Sequence, residues 1–276
     1  MKSILITGCS SGIGYDAAKT LKEKGWQVLA TCRQEKDCER LRDEGFESFR
    51  LDYEDEQSIK DAVAETLNRT GGTLDALFNN GAYAIPSAVE DLPRAAMRAI
   101  FEANVFGYFD LIQQLMPTMR KQGHGRIIQC STVLGFIALP VRGAYVSSKH
   151  ALEGMTDTLR LEMKRINLPI HVSTIQPGPI DTPFGKNSAL QFEKWIDWEN
   201  SPNRKVYEKA VIPRLYQKRE KPDFGELPSS AVTAKLIHAL EAKRPRERYM
   251  VTKPTKIVAF LKRILPVRML DKILMG

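Results

Sequence analysis

The stretch Thr7-Gly8-Cys9-Ser10-Ser11-Gly12-Ile13-Gly14 follows an apolar run, Ser3–Thr7, that predicts a buried strand near the start of the chain. Its three glycines suit a tight turn, a close approach of backbone to phosphate and a close contact between helix and strand. Behind the turn, Ile13, Ala17 and Leu21 recur at helical spacing. A strand, a glycine turn and a helix in this order predict a dinucleotide site, with the pyrophosphate at the helix N-terminus near Gly12. The structural alternative is a plain tight turn.

Apolar runs and amphipathic helical stretches alternate along the chain after this turn. Several runs are continuously apolar, as expected for strands that are buried on both faces of a sheet. The alternation predicts an α/β fold in which helices cover both faces of a parallel sheet. The predicted strands are Ser3–Thr7, Gln27–Thr31, Ser48–Leu51, Asp75–Asn79, Arg126–Cys130, Ile170–Ile175 and a short run near Arg248–Thr252, which a helix over Ser229–Lys243 precedes.

The length and charge of the chain limit the class of protein. Its 276 residues suit a single catalytic domain, residues 1–276, with an irregular substrate-cap insertion at 183–228 and a basic amphipathic tail at 253–276. The N-terminal apolar run is too short for a signal peptide, and no apolar run reaches the ~18 residues of a membrane span. We therefore expect a cytoplasmic protein. The net charge of +8 comes from dispersed residues without a recognition motif, so nucleic-acid binding is not expected.

Cysteine and histidine usage predicts no metal site. The four histidines are scattered, and the cysteines form no C-x-x-C pair. Without a secretory signal we expect free thiols in a reducing compartment. The cysteines are Cys9, Cys32, Cys38 and Cys130.

Four further residues predict chemistry beside the nucleotide. Tyr145 and Lys149 stand one helical turn apart, so an ammonium group lies near a phenol whose pKa of ~10 it can lower. Ser131 follows a predicted strand, at the edge where ligands meet an α/β sheet. Asn104 lies in the long helical stretch before that strand. Each has an ordinary alternative: a solvated Tyr-Lys pair, a strand-end cap for Ser131 and a buried amide for Asn104.

The turn T-G-x-x-x-G-x-G and this Asn-Ser-Tyr-Lys set resemble the short-chain dehydrogenase/reductase family, strongly over residues 1–182. The resemblance implies a Rossmann fold with a doubly wound, parallel, seven-stranded sheet. It also implies that Tyr145 exchanges a proton with the substrate oxygen, which Ser131 polarises. Lys149 would lower the pKa of Tyr145 and hold the nicotinamide ribose, and Asn104 would support a water relay to Lys149.

The same resemblance implies a set of cofactor contacts. Asp52 would contact the adenine, and Ile180 and Thr182, in the P-G-x-x-x-T motif after the sixth strand, would hold the nicotinamide carboxamide. The chain departs from the family at Asn79-Asn80-Gly81-Ala82, where N-N-A-G is usual, and this exchange puts the position of a positive φ in doubt. The predicted cofactor-binding residues are Gly8, Ser10, Ser11, Gly12, Ile13, Gly14, Arg33, Asp52, Asn79, Gly81, Tyr145, Lys149, Pro177, Gly178, Ile180 and Thr182.

The end of the second predicted strand, Val28-Leu29-Ala30-Thr31-Cys32-Arg33, decides which dinucleotide is expected. An NAD site normally carries an acid here, which accepts a hydrogen bond from the ribose 2′-hydroxyl. Thr31 and Cys32 offer no negative charge, whereas the Arg33 guanidinium suits the 2′-phosphate of NADP, with Ser11 adding a hydroxyl contact. We therefore expect NADP(H) and carbonyl reduction. The alternative is that Arg33 is an ordinary surface residue.

The loops that follow the strands predict an apolar substrate cleft. Ala82–Pro86 and Val133–Pro140 are largely apolar, and Phe184, Phe192, Trp195 and Trp198 follow in the insertion. An apolar cleft favours an aliphatic, isoprenoid or steroid-like carbonyl compound. Alternatively, the aromatic residues only pack the insertion onto the body.

The tail predicts two short amphipathic helices that Pro266 separates. A basic segment of this kind can lie on an anionic membrane, here as a peripheral contact at the inner membrane face. The alternatives are that the tail packs on the body, closes the cleft or joins a subunit interface, and the sequence favours these. Its basic residues are Lys253, Lys256, Lys262, Arg263, Arg268 and Lys272, against Asp271 alone.

The leading hypothesis is an NADPH-dependent reductase of apolar aldehydes or ketones, similar to bacterial NADP-dependent aldehyde reductases. A second hypothesis is an alcohol dehydrogenase of the retinol or 17β-hydroxysteroid kind that runs oxidatively. A third is a dinucleotide-sensing or membrane-docked protein without chemistry, against which the intact tetrad argues. The family resemblance further implies a homodimer or homotetramer, formed through the helices that include Asn104 and Tyr145.

Overall fold

In the computed structural model, which describes residues 1–217 and 221–275, seven parallel strands form one sheet in the order β3-β2-β1-β4-β5-β6-β9. A separate parallel pair is formed by β7 and β8. The predicted cap and tail include residues 218–220 and 276, which lie outside the described residues. The strands are β1 (Ser3–Thr7), β2 (Gln27–Cys32), β3 (Glu47–Arg50), β4 (Ala76–Asn79), β5 (Gly125–Cys130), β6 (Ile170–Gln176), β7 (Ile180–Asp181), β8 (Leu227–Pro228) and β9 (Arg248–Met250).

Helices cover both faces of the large sheet, which confirms the predicted doubly wound Rossmann fold. Successive residues of β1 face opposite cores: Ile4 and Ile6 pack on one side and Leu5 on the other, so the strand is apolar throughout. The first core is covered by α1 (Gly12–Glu23), α2 (Glu35–Asp43) and α10 (Ser230–Glu241), and the second by α3 (Glu56–Arg69), α5 (Gly107–Gln122) and α6 (Gly143–Arg165).

The strand order reverses at β1, which pairs with β2 on one side and β4 on the other. In open α/β sheets ligands bind at such a point, outside the carboxyl ends of the strands. The turn after β1, the end of β2 and the loops after β4, β5 and β6 all meet this edge. The fold therefore brings the predicted site segments to one edge of the sheet.

A π-helical segment, Glu102–Phe106, interrupts the helix that runs from α4 (Arg94–Phe101) into α5. Such bulges widen one turn and are frequent at functional sites. Asn104 stands at the middle of this segment and is buried.

The insertion is more regular than the predicted irregular segment, and in its described part that prediction is wrong. It forms α7 (Phe184–Trp195) and a second helical stretch made of α8 (Arg204–Val206), a π-helical segment (Tyr207–Val211) and α9 (Ile212–Tyr216). The π-helical turn shifts the register of the buried side chains, so no steady 3.6-residue period appears in the sequence.

The tail forms two helices on either side of Pro266, as predicted: α11 (Lys253–Ile264) and α12 (Val267–Met275). The Thr252 side chain caps α11 by accepting a hydrogen bond from the Thr255 N–H. Within the described ranges, no helix is both long and apolar enough to cross a membrane.

Candidate active site

The glycine turn requires glycine at each of its three positions. Gly8 and Gly12 have φ values of +68° and +59°, in the left-handed region that other residues rarely adopt. A Cβ atom at Gly14 would lie 2.3 Å from the carbonyl oxygen of Gly8. Ser11 precedes α1 in an extended conformation, and its side chain makes no capping hydrogen bond. The first N–H groups of α1 and the Ser11 hydroxyl thus remain available to an anion.

A buried polar network holds the floor of the turn. The Tyr53 hydroxyl lies 2.7 Å from both Thr7 Oγ1 and Asn79 Oδ1, and Thr7 Oγ1 accepts hydrogen bonds from the N–H groups of Asn80 and Gly81. Tyr53 was not predicted from the sequence. The only trace of Tyr53 in the sequence is the glycine at position 107. A Cβ at Gly107 would lie 2.5 Å from the Cβ of Tyr53, so α5 needs a glycine where it crosses this residue.

The exchanged pair Gly81-Ala82 leaves the local backbone ordinary. Neither residue has a positive φ, and a Cβ at Gly81 would lie 3.4 Å from the Gly8 Cα, an ordinary contact distance. The expected shift of a positive φ by one residue therefore does not occur. Gly81 stays close to the turn, where the prediction had placed it.

Ser131, Tyr145 and Lys149 meet at the end of β5. Lys149 is 1% exposed and donates a 2.8 Å hydrogen bond to the carbonyl oxygen of Cys130, the last residue of β5. Its Nζ lies 5.8 Å from the ring centre of Tyr145 and 5.2 Å from that of Tyr108. The Ser131 hydroxyl is buried, and no hydrogen-bond partner for it exists among the described residues. Because this hydroxyl has no partner in the described chain, it is free to donate a hydrogen bond to a ligand at the end of β5.

The Asn104 side chain joins the loop after β4 to α6. Its amide donates hydrogen bonds to the Tyr83 carbonyl, at 2.9 Å, and to the Ser148 hydroxyl, at 3.1 Å. Its carbonyl oxygen accepts from the Tyr83 N–H. Asn104 thus contacts the residue that precedes Lys149 in α6, and its side chain positions the helix that carries the predicted catalytic pair.

Burial dominates the acid–base properties of this pair. It raises the pKa of Tyr145, to which the nearby Cys130 thiol adds, while a hydrogen bond with Thr132 opposes it. Burial also lowers the pKa of Lys149 to about 8, against the opposing effects of Cys130 and Glu153. The predicted lowering of the Tyr145 pKa by Lys149 is not found in this structure, where burial takes the phenol out of water and raises its pKa. At neutral pH Tyr145 keeps its proton, as a proton donor must.

The end of β2 carries no acid that faces a nucleotide. Thr31 is buried and donates to the Ile6 carbonyl, and Cys32 is buried beside it. The Arg33 side chain is exposed, and within residues 1–217 and 221–275 it makes no ion pair. A second cation, Arg40, donates a 2.8 Å hydrogen bond from Nη2 to the Ser10 carbonyl and pairs with Glu44. Arg40 was missed because α2 meets the glycine turn only in the folded chain.

Asp52 lies after β3 but is engaged with its own segment. Its carboxylate lies 3.3 Å from Arg50 Nη2 and accepts a hydrogen bond from the Glu54 N–H. Arg50 also donates to the Arg33 carbonyl oxygen. The pairing with Arg50 thus links the end of β3 to the end of β2.

The segment Pro177–Thr182 crosses from the end of β6 to the glycine turn. The Pro177 carbonyl accepts from the Val133 N–H at 2.8 Å, and Gly178 lies so close to α11 that a Cβ there would be 2.3 Å from Thr252 Oγ1. Thr182 lies over Gly12, and Ile180 pairs with Leu227 in the small sheet. A shallow cavity of about 520 Å³ opens beside the turn, lined by Gly12, Tyr15, Asp16, Asp181, Thr182, Pro183, Lys186 and Ser229.

An apolar cluster surrounds the Tyr145 ring, and the Phe184 ring centre lies 5.6 Å from it. Phe192 is fully buried against Tyr207, so it packs the insertion rather than lining a cleft. Val141 has a φ of +54°, a strained conformation for a β-branched residue, and its carbonyl accepts from the Ser87 N–H. The predicted loop and insertion residues that share this cluster are Tyr83, Ile85, Phe192, Trp195 and Trp198.

Glu153 is a buried carboxylate that the sequence prediction missed. It follows Lys149 by one helical turn, accepts a 2.9 Å hydrogen bond from Gln176 and lies 3.4 Å from the Arg248 guanidinium. The sequence could have indicated Glu153, because Tyr145, Lys149 and Glu153 follow one another at four-residue intervals along one helix face. In the part of the chain that is described, the four cysteines are buried free thiols, and no cluster of three metal-ligating side chains occurs.

A glycine turn at a Rossmann switch point, with Ser, Tyr and Lys side chains buried at the same edge of the sheet, defines a dinucleotide-binding oxidoreductase. The sequence model of the family described as "short chain dehydrogenase" matches residues 2–192. The chain belongs to this family.

Named relatives agree with that membership, and a solved structure agrees with the fold. The chain is 38% identical to the uncharacterized oxidoreductase YbbO of Escherichia coli strain K12 over 275 residues, which cover 100% of this chain and 94% of YbbO. It is 30% identical to the NADPH-dependent 3-dehydrocapnine reductase of Ornithobacterium rhinotracheale, over 99% of this chain and 96% of that protein. A short-chain dehydrogenase/reductase from Burkholderia phymatum in complex with NAD superposes with a TM-score of 0.79 at 21% identity, over 95% of this chain and 92% of that one.

Proposed function

We propose that this protein is an NADPH-dependent reductase that converts an apolar aldehyde or ketone to the alcohol. The observation that carries the proposal is the Ser131 hydroxyl, which is buried without a partner in the described residues, at the end of the strand to which Lys149 is hydrogen-bonded. A carbonyl oxygen placed there would accept a hydrogen bond from Ser131. The same oxygen would take a proton from Tyr145, whose pKa is raised by burial.

The chain's own residues account for the proton side of the reaction. Ser131 stabilises the negative charge that develops on the carbonyl oxygen, and Tyr145 donates the proton that turns this oxygen into a hydroxyl. Lys149, charged below pH about 8, places a positive charge near the phenolate that this donation leaves behind. When it is bound, the nicotinamide supplies the hydride that reduces the carbonyl carbon.

The residues around the turn suit a dinucleotide with a 2′-phosphate. The pyrophosphate would be held by the N-terminus of α1 and the Ser10, Ser11 and Ile13 segment, and the adenosine half would lie toward the end of β2. The lack of an acid in β2 supports NADPH over NADH, and so does the exposed Arg33 guanidinium, which forms no ion pair in the described chain although it interacts electrostatically with Glu54. Arg40 adds a cation at the Ser10 carbonyl, and one relative is named as an NADPH-dependent reductase.

The apolar cluster supports the substrate class. Tyr83 from the loop after β4, Tyr145 near the start of α6 and Trp195 from the insertion belong to one cluster, and the Phe184 ring packs against the Tyr145 ring. A substrate with an aliphatic, isoprenoid or steroid-like body would remove this surface from water. The oxidative alternative, an alcohol dehydrogenase of the retinol or hydroxysteroid kind, would use the same cluster and differs only in direction and cofactor.

We also infer a homodimer or homotetramer that forms through α5 and α6. Phe106, in the π-helical segment directly before α5, and Met155, on α6, are large apolar side chains, and each is at least half exposed. Exposed apolar residues on a paired helix face are typical of subunit interfaces. The molar mass of the purified protein, measured by light scattering after size-exclusion chromatography, tests this expectation directly.

The experiment that tests the proposed function is a series of aldehydes of graded chain length, assayed with NADPH and the purified protein. We expect kcat/KM to rise with apolar length, by up to about fourfold for each added methylene group that is buried. A preference for short, polar carbonyls would contradict the substrate class. Faster oxidation of the matching alcohols with NAD than reduction with NADPH would favour the alternative.

A further inference from the structure

The outward face of α11 is a stripe of exposed apolar side chains. Thr255 and Ala259 are buried against the body of the protein, and on the opposite side of the helix Ile257, Phe260 and Ile264 are 50%, 61% and 56% exposed. Spacings of three and four residues align these three side chains along one line. The helix therefore uses one face to pack and presents a second apolar face to its surroundings.

Neighbouring segments extend this stripe. In α12, Leu270 packs inward, while Met269 and Ile273 are each more than half exposed. Phe224, from the described part of the insertion, is 80% exposed and precedes Gly225, whose Cβ would touch the Pro254 ring at the start of α11. We call the residues Phe224, Ile257, Phe260, Ile264, Val267, Met269 and Ile273 the tail surface.

The charges on the two tail helices are almost all positive, whereas Asp223 and Glu226 lie beside Phe224 in the sequence. The described tail carries six basic residues and only one acidic residue. Lys256 and Arg263 flank the apolar line on α11, and Arg268 and Lys272 lie on the exposed side of α12. Long basic side chains beside an apolar line can extend to phosphate groups while the apolar residues enter a hydrocarbon layer.

Two features favour a lipid bilayer over a second copy of this chain as the occupant. A symmetric dimer through the tail surface would bring Lys256 and Arg263 of one subunit against the same basic residues of the other, and like charges oppose such contact. Apart from Phe224, the tail surface lies on the exposed sides of α11 and α12. An exposed apolar line flanked by cations suits an anionic bilayer surface.

From these observations we infer that the tail surface docks the protein on the face of an anionic lipid bilayer, with α11 lying in the plane of the interface. Ile257, Phe260 and Ile264 enter the region between headgroups and acyl chains. Lys256, Arg263, Arg268 and Lys272 bind the anionic headgroups. The contact is peripheral, since α11 has only 12 residues.

The docked helix lies beside the loops of the candidate active site. The Lys262 ammonium donates a hydrogen bond to the Phe136 carbonyl, in the loop after Ser131, and Thr252 and Thr255 pack against Gly178. The consequence for catalysis rests on the proposed function. If that function holds, docking places the apolar cleft next to the lipid bilayer, in which an apolar carbonyl compound dissolves. The docking itself requires no substrate.

Vesicle sedimentation with the full-length protein tests the docking. Purified protein is mixed with vesicles of phosphatidylcholine alone, or of phosphatidylcholine with phosphatidylglycerol, and the bound fraction is measured at low and high salt. We expect binding to the anionic vesicles that falls as salt rises, and little binding to the neutral ones. If the protein stays in the supernatant with both compositions, the inference is overturned.

Paired variants locate the contact. Lys256→Gln with Arg263→Gln should weaken binding at least about tenfold, whereas Lys24→Gln with Lys121→Gln, which removes the same charge elsewhere, should leave it unchanged. Phe260→Ser with Ile264→Ser should weaken binding by a similar factor, whereas Leu190→Ser with Val206→Ser, two exposed residues of the insertion, should not. Equal losses in the variants and in their controls would overturn the inference.

Two further measurements distinguish loss of docking from loss of folding, of catalysis or of a subunit contact. All four double variants should melt at the wild-type temperature and reduce a water-soluble carbonyl at the wild-type rate, since their side chains are exposed and lie outside the proposed catalytic group. If the tail variants instead dissociate an oligomer in light scattering and leave vesicle binding unchanged, a second copy occupies the tail surface and the inference is wrong. Vesicle binding by a protein that proves inactive on every carbonyl would contradict the proposed function alone.

Discussion

The ammonium group of Lys149 donates a 2.8 Å hydrogen bond to the carbonyl oxygen of Cys130, one residue before Ser131. This contact ties α6 to the end of β5 and holds a positive charge inside the protein. Because the group is buried, its pKa falls to about 8. The charge that the proposed mechanism requires is therefore lost within an accessible range of pH.

The first prediction concerns that pH dependence. The pKa of Lys149 is lowered, so the charged form dominates below pH about 8 and disappears as the pH rises through it. We expect kcat/KM for carbonyl reduction to fall above this pH. Tyr145 does not add to this limb, because burial raises its pKa. The measurement is a pH profile of kcat/KM for the wild type and for Lys149→Arg, whose guanidinium stays charged to pH ~12. In the variant, the fall in kcat/KM should begin at a higher pH. If it begins at the same pH as in the wild type, Lys149 is not its cause.

A second prediction isolates the proton donor. Tyr145→Phe removes one hydroxyl and keeps the ring that packs on Phe184. We expect kcat to fall by about 10²- to 10⁴-fold, the usual contribution of a general acid, with the Kd for NADPH changed little. Tyr216→Phe, which removes an exposed hydroxyl bonded to Glu193, is the control and should keep wild-type kcat. A Tyr145→Phe enzyme with wild-type kcat would show that the proton comes from another group.

The third prediction concerns the choice of dinucleotide. Arg33→Ala removes the exposed guanidinium at the end of β2, and we expect KM for NADPH to rise by about 10- to 100-fold, the value of a hydrogen bond to a charged group. KM for NADH should change little, because NADH carries no 2′-phosphate. Arg244→Ala, an exposed arginine that follows α10, is the matched control. Thr31→Asp should not be combined with Arg33→Ala to favour NADH, because Thr31 is buried and donates a hydrogen bond to the Ile6 carbonyl.

A fourth prediction tests the close packing of the glycine turn. Gly14→Ala would place a methyl group 2.3 Å from the Gly8 carbonyl oxygen, and only backbone movement can relieve this. We expect a loss of about 1–3 kcal/mol in the free energy of unfolding, together with weaker NADPH binding. Gly154→Ala, a helical glycine of α6 with open space around its Cβ, should instead stabilise the protein by about 0.5–1 kcal/mol. Urea unfolding measures both, and equal effects would contradict the assigned geometry.

The sheet was predictable because its strands are buried on both faces. Ser3–Thr7 was predicted with its observed ends, and Gln27–Cys32 and Ile170–Gln176 were each predicted one residue short. The glycines of the turn were predictable because the backbone conformation of Gly8 and Gly12 and the close contact at Gly14 exclude a side chain. Each of these features determines the residue types within a short stretch of sequence.

Other features of the site depend on contacts between distant segments. Arg40 reaches the Ser10 carbonyl from α2, and Tyr53 reaches Thr7 from the loop after β3. Neither contact has a periodic signature. The direction of the Tyr145 pKa shift could not be predicted either, because the spacing shows a neighbouring lysine but not the burial that raises the pKa.

The central claim is that this protein reduces an apolar carbonyl compound with NADPH. Its most direct test is kcat/KM of the wild-type protein for one long-chain aldehyde, measured with NADPH and with NADH under the same conditions. We expect the value with NADPH to be at least about tenfold higher, because Arg33 faces a 2′-phosphate only in that cofactor. Equal values, or a higher value with NADH, would contradict the account.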